Sequence, residues 1–188
     1  MPMPKRAPRT LDAYVVRQLD DSIRPGDCVW FTPMDEGIPP HVARIEMIVA
    51  DGENVKIHVR WYYRPEESYG GRRKFHGSKE LFLSEHREVV GVNAIEGKCR
   101  VHSIDNYTSL DVVRTEDYFC RFEYNSTTGA FTPDSIIVFC SCEMPFNPDF
   151  LMVQCELCTE WFHPECLGTT LEEVRTFDHL YCDLCDQQ

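Results

Sequence analysis

Lysine and arginine are almost absent from the last part of the chain. Residues 137–188 contain ten aspartate and glutamate residues against the single base Arg175, and the whole chain carries a formal net charge of −12. A segment this acidic repels the phosphates of nucleic acids and attracts a cationic peptide. No direct nucleic-acid partner is therefore expected for this segment.

Long apolar runs are also missing. No stretch approaches the roughly 20 apolar residues of a membrane span, and the N-terminus lacks the apolar core of a signal peptide. Neither a membrane partner nor export is expected. Residues 1–19 begin with a basic, Pro-rich stretch that contains Lys5, Arg6 and Arg9. They are predicted to form a basic, disordered tail.

Signatures of common enzymes are missing too. The chain contains no nucleophile elbow, no glycine-rich loop that could cradle a phosphate, and no H-E-x-x-H helix. These absences disfavour serine hydrolases, nucleotide-binding enzymes and zinc proteases.

Cysteine, in contrast, is abundant and regularly spaced. Eight potential metal ligands follow the pattern C-x-C-x12-C-x2-C-x4-H-x2-C-x15-C-x2-C: Cys140, Cys142, Cys155, Cys158, His163, Cys166, Cys182 and Cys185. Zinc takes four such ligands in a tetrahedron, so eight ligands make two closed sites. About fifty residues are too few for comfortable stability from apolar burial alone. The pattern therefore predicts a small fold held by two structural zinc ions.

Disulfides are the alternative for a chain with ten cysteines. Without an export signal, and with most of the cysteines in chelating pairs, reduced zinc thiolates are favoured. Cys28, Cys99 and Cys120 lie outside the ligand series in apolar, strand-like runs. They are predicted to be buried thiols.

The first two-thirds of the chain has the pattern of β-structure. Residues 55–63 alternate strictly, with Val55, Ile57, Val59, Trp61 and Tyr63 on one face, and Asp51-Gly52 before them is a strong hairpin signal. The other predicted strands cover residues 27–31, 41–49, 80–83, 97–102, 118–124 and 136–139. Short strands separated by loops indicate a mainly β fold with a small, partly closed barrel.

Two sets of motifs carry a family resemblance. The ligand order with histidine fifth, and Trp161 two residues before it, resembles a plant homeodomain (PHD) finger. Residues 42–46, 59–66 and 80–84 resemble a bromo-adjacent homology (BAH) domain. Their order resembles the plant BAH–PHD chromatin readers named for short life and early bolting in short days. The resemblance implies a BAH domain at 20–136 and a PHD finger at 137–188.

In a PHD finger the ligand pairs interleave. The resemblance implies one zinc held by Cys140, Cys142, His163 and Cys166, and a second held by Cys155, Cys158, Cys182 and Cys185. All eight ligands are protein side chains, so neither ion keeps the open position that a catalytic zinc needs. The zinc ions are thus expected to be structural, and the protein is expected not to be an enzyme.

Related PHD fingers bind the N-terminus of histone H3 methylated at lysine 4. The resemblance implies an aromatic cage, meaning the side chains that enclose the methylated ammonium, at Phe139, Phe146, Met152 and Trp161. It implies peptide contacts at Asp149, Leu151, Val153, Gln154 and Glu156, with residues 151–154 as the strand to which the peptide adds. Core packing is the alternative for the aromatic positions.

Plant relatives of the BAH domain recognise trimethylated lysine 27 of histone H3. The resemblance implies a second cage at His41, Trp61 and Tyr63, and a peptide groove at Glu85 and His86. His41 departs from the family pattern, which has an aromatic residue there. Neutral imidazole is a poorer cation–π face and protonated imidazole repels a cation, so this site is expected to be weaker or pH-sensitive.

The predicted function is that of a nuclear reader of methylated H3 tails that acts in transcriptional repression, with corepressor proteins as further partners. One alternative is a RING-like ubiquitin ligase, against which the fifth-position histidine and Trp161 argue. The other alternative is a protein–protein scaffold that recognises no modification.

Overall fold

Two compact units make up the chain. The computed structural model describes residues 7–33 and 35–186. Unit 1 comprises the residues up to Arg72 together with Lys79–Asp134, and unit 2 comprises Arg73–Ser78 together with the residues from Ser135 onward. Unit 2 therefore contains a short segment that interrupts unit 1 in sequence.

The regular secondary structure of unit 1 is almost entirely β. Its strands are β1 (Arg9–Leu11), β2 (Tyr14–Val16), β3 (Asp21–Ile23), β4 (Cys28–Phe31), β5 (His41–Asp51), β6 (Asn54–Tyr63), β7 (Glu80–Gly91), β8 (Gly97–His102), β9 (Asp117–Tyr124) and β10 (Phe131–Thr132), with one short helix, α1 (Ile104–Thr108). Single 3-10 turns cover Arg17–Leu19, Pro65–Glu67 and Val92–Ala94. The mainly β class predicted from the sequence is confirmed.

The main sheet of unit 1 closes on itself. Its strand order is β1-β5-β4-β8-β9-β7-β6, and β5 also pairs with β6 through the Asp51-Gly52 hairpin. Six strands, β5-β4-β8-β9-β7-β6, therefore form a ring, with β1 added to β5 and β10 added to β9. Closure removes the sheet edges that the central strands would otherwise expose.

The prediction that residues 1–19 are disordered is wrong for the part of this segment that the structure describes. Arg9–Leu11 form β1, which pairs antiparallel with the end of β5, and Tyr14–Val16 pair with Asp21–Ile23. Pairing with β5 supplies backbone hydrogen bonds to β1, which the basic, Pro-rich composition of this segment does not predict. Residues 1–6 of the predicted tail lie outside the described residues.

Strand β6 buries side chains on both of its faces toward its end. The predicted burial of one face is confirmed at Val55, Ile57 and Val59, and the partly buried Trp61 packs against the same cluster. Tyr62, on the opposite face in the predicted alternation, is also buried, in a second apolar cluster with Leu81 and Leu83. Alternation along one strand does not reveal this second cluster, because its other members lie on distant strands.

Unit 2 is built from short pairings. Its strands are β11 (Val138–Phe139), β12 (Met144–Pro145), β13 (Val153–Gln154) and β14 (Trp161–Phe162), and its helices are α2 (Leu171–Val174) and α3 (Asp183–Asp186), with a 3-10 turn at Pro164–Leu167. Strands β11 and β12 form one antiparallel pair, and β13 and β14 form another. The strand predicted at 136–139 is thus confirmed only in its second half. None of the helices that the structure describes is long and apolar enough to cross a membrane.

The three cysteines outside the ligand series are free thiols. Cys28 and Cys99 are buried directly opposite each other in β4 and β8, and Cys120 is half-buried in β9. Burial raises the pKa of Cys99 to about 12 and that of Cys120 to about 11. Thiols held this firmly in the protonated form pack as small apolar side chains.

A buried ion pair joins strands β7 and β9. The guanidinium of Arg121 donates from Nε to Oε1 of Glu80 at 2.8 Å and from a second nitrogen to Oε2 at 3.1 Å. The two side chains are only 9% and 0% exposed, respectively. A bidentate pair of this kind satisfies both partners, whereas either partner alone would be a buried charge.

Substitution Arg121→Ala is expected to lower the free energy of unfolding of unit 1 by about 3–5 kcal/mol, because it leaves the Glu80 carboxylate without its partner. Urea unfolding monitored by fluorescence measures the change. The matched control is Arg87→Ala, which removes a pair with Glu46 in which the arginine side chain is 60% exposed. An equal loss in the free energy of unfolding in both variants would contradict a special contribution of the buried Glu80–Arg121 pair.

Candidate metal centres and aromatic binding surfaces

Two clusters of four ligands are present in unit 2. One contains Cys140, Cys142, His163 and Cys166, and the other contains Cys155, Cys158, Cys182 and Cys185. Within each cluster one ligand atom per residue lies within 4.8 Å of all the others. The PHD resemblance implied the same two sets of ligands, with the chelating pairs interleaved along the chain.

The spacing of the ligand atoms fits tetrahedral zinc. With Zn–S near 2.3 Å and Zn–N near 2.0 Å, neighbouring ligand atoms of a tetrahedron lie about 3.5–3.8 Å apart. The Sγ of Cys142 is 3.4 Å from Nδ1 of His163, and the Sγ of Cys166 is 3.9 Å from the same atom. In the second cluster, the sulfurs of Cys158 and Cys182 are 3.9 Å apart. Both donor sets are therefore compatible with zinc.

Tight turns bring the ligands together. Cys140 begins the turn between β11 and β12 with a φ of +65°, and Thr159, directly after Cys158, has a φ of +63°. Backbone N–H groups, that of Cys158 above all, lower the pKa of the Cys155 thiol to about 6. The thiolate is the form that binds metal, so the turn prepares Cys155 as a ligand.

The four predicted PHD cage residues lie on the two hairpins of unit 2. Phe139 ends β11 and Phe146 follows β12, while Met152 precedes β13 and Trp161 begins β14. Phe139, Phe146 and Met152 are half-buried, whereas Trp161 is 43% exposed. Trp161 is thus the cage candidate whose ring is most open to a ligand.

The predicted peptide strand is available on one side. Val153 and Gln154 pair with Phe162 and Trp161, and no other strand pairs with β13 among the described residues. Leu151, just before the strand, is 65% exposed. An extended peptide can therefore add to this strand by main-chain hydrogen bonds.

The two predicted acidic contacts already have protein partners. One carboxylate oxygen of Asp149 accepts from the N–H of Ser78. Glu156 accepts from Nδ1 of His179 at 2.9 Å and from the N–H of Leu180 at 3.2 Å, and the His179 bond chiefly lowers the pKa of Glu156. Both carboxylates carry local hydrogen bonds in addition to any role toward a ligand.

An aromatic cluster surrounds the predicted BAH cage. The rings of His41 and Trp61 lie 6.2 Å apart edge to face, and Trp61 also packs against Phe31 at 5.1 Å. Tyr63, two residues along β6, packs against Tyr124 at 5.8 Å. The structure therefore joins His41 with Trp61 and places Tyr63 next along the same strand.

Glu88 and Phe31 were missed by the sequence analysis. Oε2 of Glu88 accepts from the indole Nε1 of Trp61 at 3.0 Å and so fixes the orientation of this ring. Phe31 lies directly opposite His41 in the pairing of β4 with β5. Only the strand register, which the sequence does not reveal, brings them to Trp61.

The two predicted groove residues of the BAH domain behave differently. His86 is exposed, with its Nδ1 3.2 Å from the hydroxyl of Tyr63. The carboxylate of Glu85 accepts from the N–H of Ser126 at 2.9 Å, from its hydroxyl at 2.8 Å, and from Thr127. Glu85 thus supports the turn that begins at Asn125, whereas His86 contacts Tyr63, a predicted cage residue.

Comparison with known proteins agrees with this architecture. The BAH domain family matches residues 21–135, and the PHD-finger family matches residues 139–185. The chain is also similar to the crystal structure of the yeast Rsc2 BAH domain, with a TM-score of 0.51 and 23% identity over 65% of this chain and 53% of that chain. Fold and ligand clusters together define a BAH domain followed by a PHD finger.

Similarity to curated proteins extends over the whole chain. Chromatin remodeling protein EBS of Arabidopsis thaliana is 57% identical over 96% of this chain and 78% of the relative. Chromatin remodeling protein SHL of the same plant is 55% identical over 100% of this chain and 83% of the relative. The chain therefore belongs to the family of BAH–PHD chromatin remodeling proteins that includes EBS and SHL.

Stability at acid pH is expected to depend on Glu85. The N–H of Ser126, with smaller contributions from its hydroxyl and from Thr127, lowers the pKa of Glu85 to about 2. A lowered folded-state pKa contributes stability that is present above the ordinary value near 4.5 and is lost as the pH falls toward 2. Glu85→Gln should therefore flatten the decrease in urea midpoint between pH 5 and pH 3, within the roughly 2–5 interval that the two pKa values set.

Glu53→Gln is the control for this prediction, because Glu53 is exposed in the hairpin between β5 and β6. An acid dependence of Glu85→Gln as steep as that of the wild type would show that the turn does not hold the carboxylate.

Proposed function

We propose that this protein is a nuclear reader of methylated histone H3 tails with no catalytic activity of its own. Its PHD finger binds tri- or dimethylated lysine 4, and its BAH domain binds trimethylated lysine 27. The bound protein recruits corepressors and represses transcription of genes that control flowering and development. The chromatin remodeling relatives support the chromatin role, and the sites support the peptide chemistry.

One observation carries the PHD part of the proposal: an exposed indole adjoins a strand with an unpaired side. A trimethylated lysine keeps its positive charge but has no N–H to donate, so an aromatic face suits it better than a carboxylate. Each good cation–π contact contributes roughly 0.5–2 kcal/mol. Trp161 supplies the face, and the strand that it borders supplies main-chain hydrogen bonds for the peptide.

Zinc is proposed as the metal in both clusters, in a structural role. The ligands would be the three cysteines with His163 in one cluster and the four cysteines in the other. Bound zinc would supply the cross-links that hold the two hairpins of the finger. Four protein ligands per ion leave no position for a substrate, which supports binding rather than catalysis.

The BAH part rests on the contact between His41 and Trp61. The indole is held by Glu88 and Phe31, so its face is ordered before a ligand arrives. Two modest sites on one chain would raise the overall affinity for a tail region that carries both marks, through effective concentration, where the geometry permits both to bind.

Substitution Trp161→Ala is expected to abolish the preference for methylated lysine 4, at a loss of about 0.5–2 kcal/mol in binding. Titration of full-length protein with H3 peptides that differ only in methylation at lysine 4 measures this. The control is Phe177→Ala, which removes another exposed aromatic ring of unit 2.

Both variants should retain two equivalents of zinc by elemental analysis, which separates lost binding from lost folding. A wild-type protein that binds all these peptides equally would be a modification-independent scaffold. Autoubiquitination with a ubiquitin-conjugating enzyme would indicate a RING-like ligase instead.

Substitution His41→Tyr is expected to tighten binding of a peptide trimethylated at lysine 27, because a neutral phenol ring is a better cation–π partner by about 0.5–2 kcal/mol. Titration of the wild type and of the variant with this peptide measures the change in affinity.

The same peptide without methylation is the control and should not distinguish His41→Tyr from the wild type. Equal affinity of both proteins for the methylated peptide would exclude His41 from the cage.

A further inference from the structure

A groove of about 730 Å³ lies within unit 2 and reaches the first ligand cluster, of which Cys142, His163 and Cys166 are among its lining residues. This volume is typical of ligand-binding clefts. Its walls include Lys74, Phe75, Asp149, Phe150, Leu151 and Glu165. None of the four proposed PHD cage residues lines it, whereas the predicted peptide contacts Asp149 and Leu151 do, so the groove lies outside the cage and adjoins the predicted peptide strand.

Asn147 holds one wall of this groove in place. Its side-chain nitrogen donates to the carbonyl of Lys74 at 2.8 Å, and its side-chain oxygen accepts from the N–H of Asp149 at 2.9 Å. The residue is 4% exposed. These bonds fix the turn before β13 against the segment Arg73–Ser78, which reaches unit 2 from the middle of the BAH sequence.

The position of the groove follows from the pairing of β13 with β14. Val153 lies opposite Phe162 in this antiparallel pair. The residues just before β13 and just after β14 therefore lie at the same end of the hairpin. Phe150 and Leu151 at this end line the groove together with Pro164 and Glu165.

A peptide that adds antiparallel to residues 151–154 has a defined direction. Its earlier residues lie at the Gln154 end, and its later residues pass the Leu151 end. With the methylated lysine near Met152, the next few residues of the peptide, at about 3.4 Å each, extend toward the groove. Phe150 and Leu151 are 57% and 65% exposed, so such a continuation would cover apolar surface that is open to water.

Charge favours a basic occupant. Asp149 and Glu165 line the groove against the single base Lys74, and residues 137–188 hold ten acids against Arg175. We infer that the groove binds the basic tail segment that follows the methylated lysine, so that Phe150 and Glu165, together with a loop from the BAH sequence, extend the recognition site of the finger. This inference rests on the proposed lysine 4 reading and adds a second subsite to it.

Peptide length tests the inference. Full-length protein is titrated with two H3 peptides trimethylated at lysine 4, one ending two residues after the lysine and one extended by six further natural residues. The longer peptide is expected to bind about tenfold more tightly to the wild type, a gain that depends on the groove. Phe150→Ala and Glu165→Gln should each reduce this gain and leave the affinity for the short peptide unchanged.

Phe177→Ala and Glu172→Gln are the matched controls, because both residues are exposed on unit 2 and neither lines the groove. Both controls should keep the full gain. Equal affinity of the two peptides for the wild type, or a gain retained in Phe150→Ala, would overturn the inference.

The unmethylated forms of both peptides separate this result from the reader function. If the wild type binds methylated and unmethylated peptides equally but still binds the longer peptide more tightly, the lysine 4 proposal is contradicted. If it prefers the methylated peptides but binds the short and long forms equally, only the proposed role of the groove is contradicted.

Discussion

Unit 2 depends on two clusters of four potential metal ligands, and in each cluster the ligand atoms all lie within 4.8 Å of one another. Its strands are two residues long, and few of its apolar side chains are fully buried. Pairings this short contribute little by themselves, since an isolated hairpin is marginal in water. Structural zinc sites are worth about 10–16 kcal/mol in small peptides, so coordination can replace the missing core. Large apolar side chains such as Trp161 can then remain exposed.

Unit 1 reaches stability by a different route. Closure of six strands into a ring pairs the central strands on both sides, and a buried carboxylate–guanidinium pair ties β7 to β9. Within this frame the end of β6 contributes to two apolar clusters, with Trp61 against the first and Tyr62 in the second. Trp61 and Tyr63 remain half-buried, so parts of two aromatic rings are exposed at this end of the strand.

The segment Arg73–Ser78 forms part of the proposed binding surface of the finger. It leaves the BAH sequence after β6, contributes to unit 2, and returns to β7. Its backbone carbonyl at Lys74 accepts a hydrogen bond from Asn147, and its Ser78 N–H donates to Asp149. A finger cut from the chain at residue 137 would lack this wall. Full-length protein is therefore the appropriate material for measuring peptide binding.

The sequence by itself determined the ligand series of this protein. Its spacing predicted two four-ligand metal sites, because a chelating pair needs only a short turn, which is local, and the family resemblance implied which ligands share a site. The alternation at Val55–Val59 and the Asp51-Gly52 turn were enough to predict a strand pair for the same reason. The tertiary structure decided what depends on register and distance along the chain. In the folded chain Phe31 and Glu88 contact Trp61, and Tyr62 is buried. Glu85 accepts hydrogen bonds from a turn, the first strand begins at Arg9, and residues 73–78 belong to the same unit as the finger. Each of these is a contact between distant residues, and no local pattern of side chains encodes which distant partner will be met.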